Sequence, residues 1–184
     1  MEDSKIIELL FDRSEQGIAE LSEKYSPACR RIAENILNNQ SDAEECVNDA
    51  FLAVWNTIPP QKPDPLYSYV CRIVRNIAIK KYHANTAKKR NSYYDVALDE
   101  IKECFQSSQS VENEVESLEI AMEIDRFLET LDKQSRVLFV RRYYYSDSIE
   151  ALANTFKTSR HNVSVRLSRI RKILKKHLIR EGVL

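Results

Sequence analysis

The chain has 184 residues, a formal net charge of zero and a hydrophobic content of 43%. This length suffices for one large domain or two small ones, and the hydrophobic content predicts a folded core. The sequence contains no run of about eighteen apolar residues, and its acidic start does not resemble a signal peptide. These features argue against membrane insertion or export, and we expect a cytoplasmic protein.

Apolar residues recur at helical spacing along nearly the whole chain, which holds only two glycines and five prolines. The sequence therefore predicts an all-α protein. Its first helices are predicted over Lys5–Phe11 and Gln16–Leu37. A kink or split is expected near Ser26, because Pro27 falls inside the second stretch. Ser41 is predicted to cap the third helix.

Helical and non-helical segments alternate in the rest of the chain. The prolines of residues 59–65 end the third helix, and a long helix with one basic side is predicted from about Leu66 to Arg90. The acidic, serine-rich sequence of residues 92–116 is typical of a linker, with or without short helical pieces. Helical spacing returns at Leu118–Leu131 and Ser135–Tyr145.

The zero net charge hides strong charge segregation. Residues 1–64 hold 13 acidic and 6 basic side chains, and residues 65–94 hold 7 basic and no acidic ones. Residues 95–132 hold 12 acidic and 2 basic side chains, and residues 133–184 hold 3 acidic and 13 basic ones. Two basic blocks separated by an acidic block indicate two polyanion-binding surfaces.

The end of the chain has the pattern of a helix-turn-helix. A short amphipathic helix can be capped by Ser148, or by Asp147 with Glu150 three residues on. A break follows at residues 157–159, and Ser159 can cap a longer arginine-rich helix. One stripe of that second helix is apolar, which suits packing against the first helix. The opposite side is basic and small-polar, which suits a DNA major groove. The apolar stripe contains Val163, Leu167, Ile170 and Leu174, and the opposite side contains His161, Val165, Ser168, Arg169, Lys172 and Lys176.

Cysteine and histidine spacing indicates no metal centre. The four cysteines lie far apart without a Cys-x-x-Cys pattern, and the three histidines show no ligand spacing. Buried, reduced thiols are the expected state, with no redox role. The sequence also contains no glycine-rich phosphate loop and no nucleophile–base pair, so we expect neither a cofactor nor a catalytic residue.

Two separate segments resemble one family. Asp42-Ala-Glu-Glu-Cys-Val-Asn-Asp-Ala-Phe-Leu-Ala-Val-Trp55 resembles the Asp-Ala-Glu-Asp…Phe-Leu-x-x-Trp signature of bacterial RNA polymerase sigma factors, in the small extracytoplasmic-function group of the sigma-70 family. Tyr69–Ala78 is similar to the Trp-Leu-x-Arg-Ile-Ala-x-Asn-x-Ala stretch that follows it. Leu131–Phe139, together with the helix-turn-helix, resembles that family's carboxy-terminal domain.

This resemblance implies a sigma factor built from two small helical domains, with no catalytic activity of its own. Residues 1–95 resemble sigma domain two, which binds the β′ clamp of core RNA polymerase and melts and reads the −10 element of promoter DNA. Residues 120–184 resemble sigma domain four, which binds the β flap and reads the −35 element. The acidic linker, residues 96–119, is either threaded toward the RNA-exit channel or a solvated tether. The family also suggests an anti-sigma factor as a partner.

The resemblance carries functional roles to individual residues of the amino-terminal half. Phe51 and Trp55 are expected to pack in the core, while Tyr69 either stacks on a base or belongs to the core. The candidate residues for −10 DNA contacts are Tyr67 for base stacking, Asn76 for the unpaired strand, and Arg72, Arg75, Lys80 and Lys81 for phosphates. The candidate polymerase-binding residues are Asp42, Glu44, Glu45, Asn48 and Asp49.

The second helix of the helix-turn-helix supplies the candidates for −35 DNA contacts. Arg160 and His161 lie at its start, where phosphates and base edges are within reach. The candidate base-reading residues are Ser164, Val165, Ser168 and Arg169, and Arg166 and Arg171 are expected to bind backbone phosphates.

The sequence departs from the family pattern at several positions. Lys157 occupies a turn position that is commonly glycine, so a left-handed backbone there costs about 1 kcal/mol, unless the turn differs. Residues 143–146 replace a glycine-containing loop, Asp132-Lys133 replaces a proline, and Lys80 stands where aspartate is frequent. These departures affect the geometry expected for the turns and the promoter sequence that the protein would recognise, and they leave the family resemblance intact.

Two other classes of function were weighed. A dimeric helix-turn-helix repressor or activator explains residues 133–184 but leaves Asp42–Trp55 without a role. A hydrolase using Glu44 and Glu45 is disfavoured, since adjacent carboxylates on a helix point about 100° apart and do not converge on one substrate.

Overall fold

The computed structural model describes residues 1–85, 92–102, 104–105 and 114–183, without the side chains of 114–118. Within these ranges every regular element is a helix, which confirms the predicted all-α class. No helix among them combines the length and the apolar character needed to cross a membrane. The helices are α1 (Asp3–Phe11), α2 (Glu15–Leu37), α3 (Gln40–Thr57), α4 (Leu66–Asn85), α5 (Tyr93–Lys102), α6 (Glu114–Thr130), α7 (Lys133–Tyr143), α8 (Ile149–Thr155) and α9 (Arg160–Arg180).

The chain divides into two compact units, Met1–Tyr93 and Tyr94–Leu184. In the first unit α2, α3 and α4 pack against one another and α1 packs against α2. One apolar side chain per turn of each helix is buried, because a helical period of 3.6 residues brings those positions onto one face. Fully buried core residues include Leu21, Ile32, Ile36, Val54, Val70 and Val74.

Two local details of the first unit differ from the sequence expectation. Helix α2 runs as one element through Pro27, so the predicted split near Ser26 does not occur. The cap of α3 is Asn39 rather than Ser41, because the Asn39 side chain accepts a hydrogen bond from the Asp42 backbone amide at 3.0 Å. The preceding Asn38 adopts a left-handed φ of 49°, which ends α2 one residue before that cap.

The second unit is built around α9. Helices α6, α7 and α8 each contact it, and its apolar stripe is buried as the sequence predicted, from Val163 to Leu174. The structure extends the buried stripe to Leu178. The predicted caps at Ser148 and Ser159 are both present, each hydroxyl accepting from a backbone amide at 3.1 Å. Lys157 has a left-handed φ of 50°, which is the costlier of the two turns expected there.

Part of the segment expected to be a flexible linker is helical. Helix α5 covers its first residues, and Cys104 just beyond it is only 2% exposed in a core cluster with Phe127 and Phe139. A short helical piece was one of the alternatives expected for the linker, but acidic composition does not reveal that Ala97 and Cys104 are buried. Residues 106–113 of the linker and the predicted end of α4 up to Arg90 lie outside the described residues.

Candidate DNA and polymerase interfaces

Helix α3 presents an acidic and polar face to solvent. One side of α3, which includes Ala43 and Ala50, is fully buried against the neighbouring helices, so the polar residues of the opposite side point outward. The candidate polymerase-binding residues all lie on this helix: Asp42, Glu44, Glu45, Asn48 and Asp49. Asp42 is half-buried, and the other four are exposed.

An apolar groove adjoins this face between α2 and α3. It has a volume of about 610 Å³ and is lined by Ile18, Asn48, Phe51, Leu52 and Trp55, among others. Leu52 is 59% exposed, whereas Phe51 is 6% exposed and belongs to the core as expected. Trp55, expected in the core, is only half-buried and forms one wall of the groove.

Three polar candidates on α4 form an exposed row. Arg72, Asn76 and Lys80 are spaced by four residues and therefore lie one above the other on the same face of the helix. Such a row of two cations and an amide is suited to a phosphate backbone. Arg75 lies beside this row and is half-buried.

The two tyrosines at the start of α4 differ in exposure. Tyr69 is 9% exposed and its hydroxyl donates to Thr57 Oγ1 at 2.8 Å, which supports the core alternative for this residue. Tyr67 is 36% exposed, and its ring lies 5.7 Å from the ring of Tyr25. Of the two, Tyr67 has the accessible ring that base stacking requires.

Lys81 is engaged within the protein. Its ammonium lies 2.5 Å from Glu45 Oε2 and 3.2 Å from Asp42 Oδ1, which joins α4 to α3. The hydrogen bond to Glu45 raises the pKa of Lys81. A residue expected to bind DNA phosphates is thus paired with two residues expected to bind polymerase. In this conformation Lys81 holds two helices together, and a phosphate contact requires it to leave both carboxylates.

In the second unit, the start of α9 is accessible. Arg160, His161, Ser164 and Arg169 are exposed, while Val165 and Ser168 are half-buried. The side chains are small in the middle of this face and cationic at its edges. That arrangement allows a backbone to approach closely while arginines reach bases or phosphates.

Two arginines of α9 contact other residues of the second unit. Arg166 donates to Ser135 Oγ at 3.0 Å and to Asp132 Oδ1 at 3.1 Å, so it fastens α9 to the start of α7. Arg171 donates to the Tyr143 hydroxyl at 2.6 Å and lies 3.4 Å from Glu100 Oε2. The phosphate role of these two residues stays a prediction, and in this conformation a phosphate contact requires each guanidinium to leave its partners.

Glu123, His177 and Glu181 offer ligand atoms within 4.8 Å of one another between α6 and α9. Two guanidinium groups already oppose this cluster: Arg126 lies 2.9 Å from Glu123, and Arg180 lies 2.7 Å from Glu181. His177 Nε2 and Glu123 Oε1 are 2.7 Å apart. Positive charge at these distances opposes a cation, so the arrangement is that of an ion-pair cluster.

The family model described as Sigma-70 region 2 matches residues 21–88, a stretch that begins inside α2 and contains all of α3 and α4. This match covers both motif stretches, Asp42–Trp55 and Tyr69–Ala78, on which the predicted resemblance to the sigma-70 family rests.

Two other comparisons accompany that match. No curated protein matches this chain in sequence. The solved structure titled "Structure of CnrH in complex with the cytosolic domain of CnrY" is similar to it, with 20% sequence identity, a TM-score of 0.45 and coverage of 96% of each chain. A likeness of this size supports no inference about binding.

Sequence reasoning missed two features of the molecular surface. The groove beside Asn48 was not predicted, although Leu52 lies off the apolar stripe of α3 and was a visible signal. The pairing of Lys81 with Glu45 and that of Arg171 with Glu100 were not predicted either. No local pattern shows these pairs, because the partners are separated by 36 and 71 residues in the chain.

Proposed function

We propose that this chain is a sigma factor of the extracytoplasmic-function group of the sigma-70 family and directs core RNA polymerase to promoters with a −10 and a −35 element. The first unit contacts the β′ clamp and the −10 element, and the second contacts the β flap and the −35 element. The observation that carries the proposal is the Sigma-70 region 2 match to residues 21–88, combined with an accessible basic recognition helix in the other unit.

Recognition of the −35 element is assigned to the exposed start of α9. Arg160 and His161 are placed for phosphates, Ser164 and Arg169 for base edges, and Val165 for a thymine methyl group. In this conformation Arg166 and Arg171 hold α9 in position through α7 and α5.

Recognition of the −10 element is assigned to α4. Arg72 and Lys80 bind phosphates, Asn76 contacts the unpaired strand, and the exposed ring of Tyr67 stacks on an extruded base. The polar face of α3 and its adjoining groove bind the β′ clamp. The groove suits a partner helix, because exposed Leu52 supplies an apolar anchor beside Asn48.

Run-off transcription with core polymerase on a promoter library tests the proposal. A purified chain that directs initiation at a shared two-element sequence supports it, and a chain that neither binds core nor directs initiation overturns it. Tight sequence-specific duplex binding by the chain alone, without any effect on core, indicates the helix-turn-helix repressor instead. The same reactions, repeated with a candidate anti-sigma partner, test whether one exists.

Matched variants separate the two elements. Arg169→Ala is expected to reduce discrimination between bases at one −35 base pair by about 1–3 kcal/mol. The control Lys133→Ala, at another exposed residue of the second unit, is expected to have little effect. Asn76→Ala is expected to weaken −10 melting, with little effect of Lys5→Ala on the exposed side of α1. Equal loss from a variant and its control contradicts the assignment of that residue.

A further inference from the structure

Lys81 of α4 connects two surfaces of the first unit. Its ammonium lies 2.5 Å from Glu45 Oε2 and 3.2 Å from Asp42 Oδ1, and both carboxylates belong to the polar face of α3. Asn85, four residues further along α4, donates from Nδ2 to Asp42 Oδ2 at 3.3 Å. Both oxygens of the Asp42 carboxylate are therefore engaged by α4. The carboxylates that are proposed to bind polymerase already hold a cation, which comes from the chain itself.

Lys81 also adjoins the exposed row that is proposed to bind −10 DNA. It follows Lys80 directly, so its Cα lies about 100° around the helix from that row, on the side where α4 packs against α3. A lysine carries a compact charge on a flexible four-carbon stem, so the same ammonium can turn toward α3 or toward the row. It cannot do both at once. The two carboxylates and a DNA phosphate therefore exclude each other as partners of Lys81.

The contact lies at the edge of the helix packing, where it can open while the unit stays folded. The side chains of Lys81, Asp42 and Glu45 are 21%, 30% and 65% exposed. The packing of α3 and α4 depends instead on buried apolar side chains such as Val54 and Val74, which are 0% exposed. Each ion pair of this exposure changes an equilibrium by up to about five-fold. A charged partner molecule can therefore displace Lys81 from the two carboxylates.

We propose that Lys81 is an exchangeable cation, which occupies Asp42 and Glu45 in the free chain and moves to a DNA phosphate when a cationic side chain of the polymerase takes its place. This inference rests on the proposed function of both surfaces. A lysine or arginine of the polymerase that pairs with the two carboxylates releases Lys81, so binding of polymerase strengthens binding of DNA. The coupling is reciprocal, because DNA that holds Lys81 leaves the carboxylates open and strengthens binding of polymerase by the same factor.

A purely structural role for Lys81 gives different expectations. If Lys81 only holds α4 against α3, its replacement should weaken the binding of polymerase to α3 or leave it unchanged. An exchangeable cation competes with the polymerase, so its replacement should strengthen that binding. Removal of the two carboxylates should likewise strengthen DNA binding by the chain alone only if Lys81 is exchangeable.

The first experiment needs no polymerase. Binding of the full-length chain to a fluorescent single-stranded oligonucleotide of mixed sequence is measured by anisotropy over a series of salt concentrations. The variant Asp42→Asn/Glu45→Gln frees Lys81, so its affinity for the oligonucleotide should rise several-fold. The slope of log K against log salt should steepen by about 0.7, the value for one added phosphate contact. The control Glu44→Gln/Asp49→Asn removes the same charge from the exposed part of α3 but keeps both ion pairs of Lys81, so its slope should not change.

A further substitution shows whether Lys81 is the cation that moves. Adding Lys81→Gln to Asp42→Asn/Glu45→Gln should abolish the gain in affinity and restore the slope of the parent chain. An unchanged slope in the folded Asp42→Asn/Glu45→Gln variant, or a steeper slope that persists after Lys81→Gln, overturns the proposal. Circular dichroism of each variant must first match the parent, so that a loss of folding is not taken for a loss of binding.

The second experiment measures binding of core polymerase in the absence of DNA. Lys81→Gln removes the competing cation, so the chain should bind core several-fold more tightly than the parent does. The control Lys5→Gln makes the same change of charge at an exposed residue of α1 and should bind core like the parent. Equal or weaker binding of core by the folded Lys81→Gln variant overturns the proposal. If the parent itself does not bind core, the proposed function fails, and the oligonucleotide titration still decides whether Lys81 can move to a phosphate.

Discussion

The most informative single change is Glu100→Gln, at the point where α5 packs against the other helices of the second unit. Glu100 accepts hydrogen bonds from Arg142 Nη2 at 2.7 Å and Arg142 Nε at 3.1 Å, and from the Tyr143 hydroxyl at 3.1 Å. Arg171 Nη1 lies 3.4 Å from the same carboxylate. Arg142 is only 1% exposed, so its guanidinium depends on this carboxylate for charge compensation.

The expected loss of folding stability follows from the burial of Arg142. Breaking a buried ion pair by removing one partner costs about 3–5 kcal/mol, because it leaves an uncompensated charge. Glu100 itself is 23% exposed, and a glutamine retains one acceptor oxygen, so we expect a loss of about 2–3 kcal/mol. Asp99→Asn is the matched control on the same helix, since Asp99 is 79% exposed and pairs with Lys102 at 3.6 Å. Such a surface pair is worth about 0–1 kcal/mol.

Urea denaturation separates the two units because the single tryptophan, Trp55, reports only the first. Glu100→Gln should shift the transition of the second unit, followed by circular dichroism, by about 2 M urea for a slope of about 1 kcal/mol/M. The Trp55 fluorescence transition should not move. Equal small shifts for Glu100→Gln and Asp99→Asn, or an equal shift of the fluorescence transition, refute the reasoning.

Three further predictions concern the second unit. Lys157→Gly should stabilise it by about 1 kcal/mol by relieving the left-handed φ of 50°, whereas Lys157→Ala should not, as urea midpoints will show. Ser146→Gly should stabilise it by about 1 kcal/mol in the same assay, because Ser146 has a φ of 57° and a buried hydroxyl without a hydrogen-bond partner. Hydrogen bonds from Ser135 lower the pKa of Asp132. The ionised carboxylate of Asp132 therefore stabilises the fold above pH 3.8, the ordinary pKa of an aspartate, and this stabilisation is lost as the pH falls below that value. Urea midpoints between about pH 3 and 5 should therefore fall less for Asp132→Asn, which keeps the capping oxygen but does not titrate.

The sequence alone determined the features that depend on neighbours along the chain. Helical periodicity is local, so it predicted most of the helices, including the buried stripe of α9 and the exposed row on α4. Caps are local as well, and Ser148 and Ser159 were predicted correctly for that reason. The motif Asp42–Trp55 and the stretch Tyr69–Ala78 were enough to indicate the family, since both lie inside the matched residues 21–88.

Only the tertiary structure decided which charged side chains are accessible. Lys81, Arg166 and Arg171 look from the sequence like phosphate-binding cations, yet each is held by carboxylates or hydroxyls from another helix. The packing of α5 through Glu100 was likewise decided only by the tertiary structure. A charged side chain finds its partner through the packing of helices, and the chain separation of the partners leaves no periodic trace in the sequence.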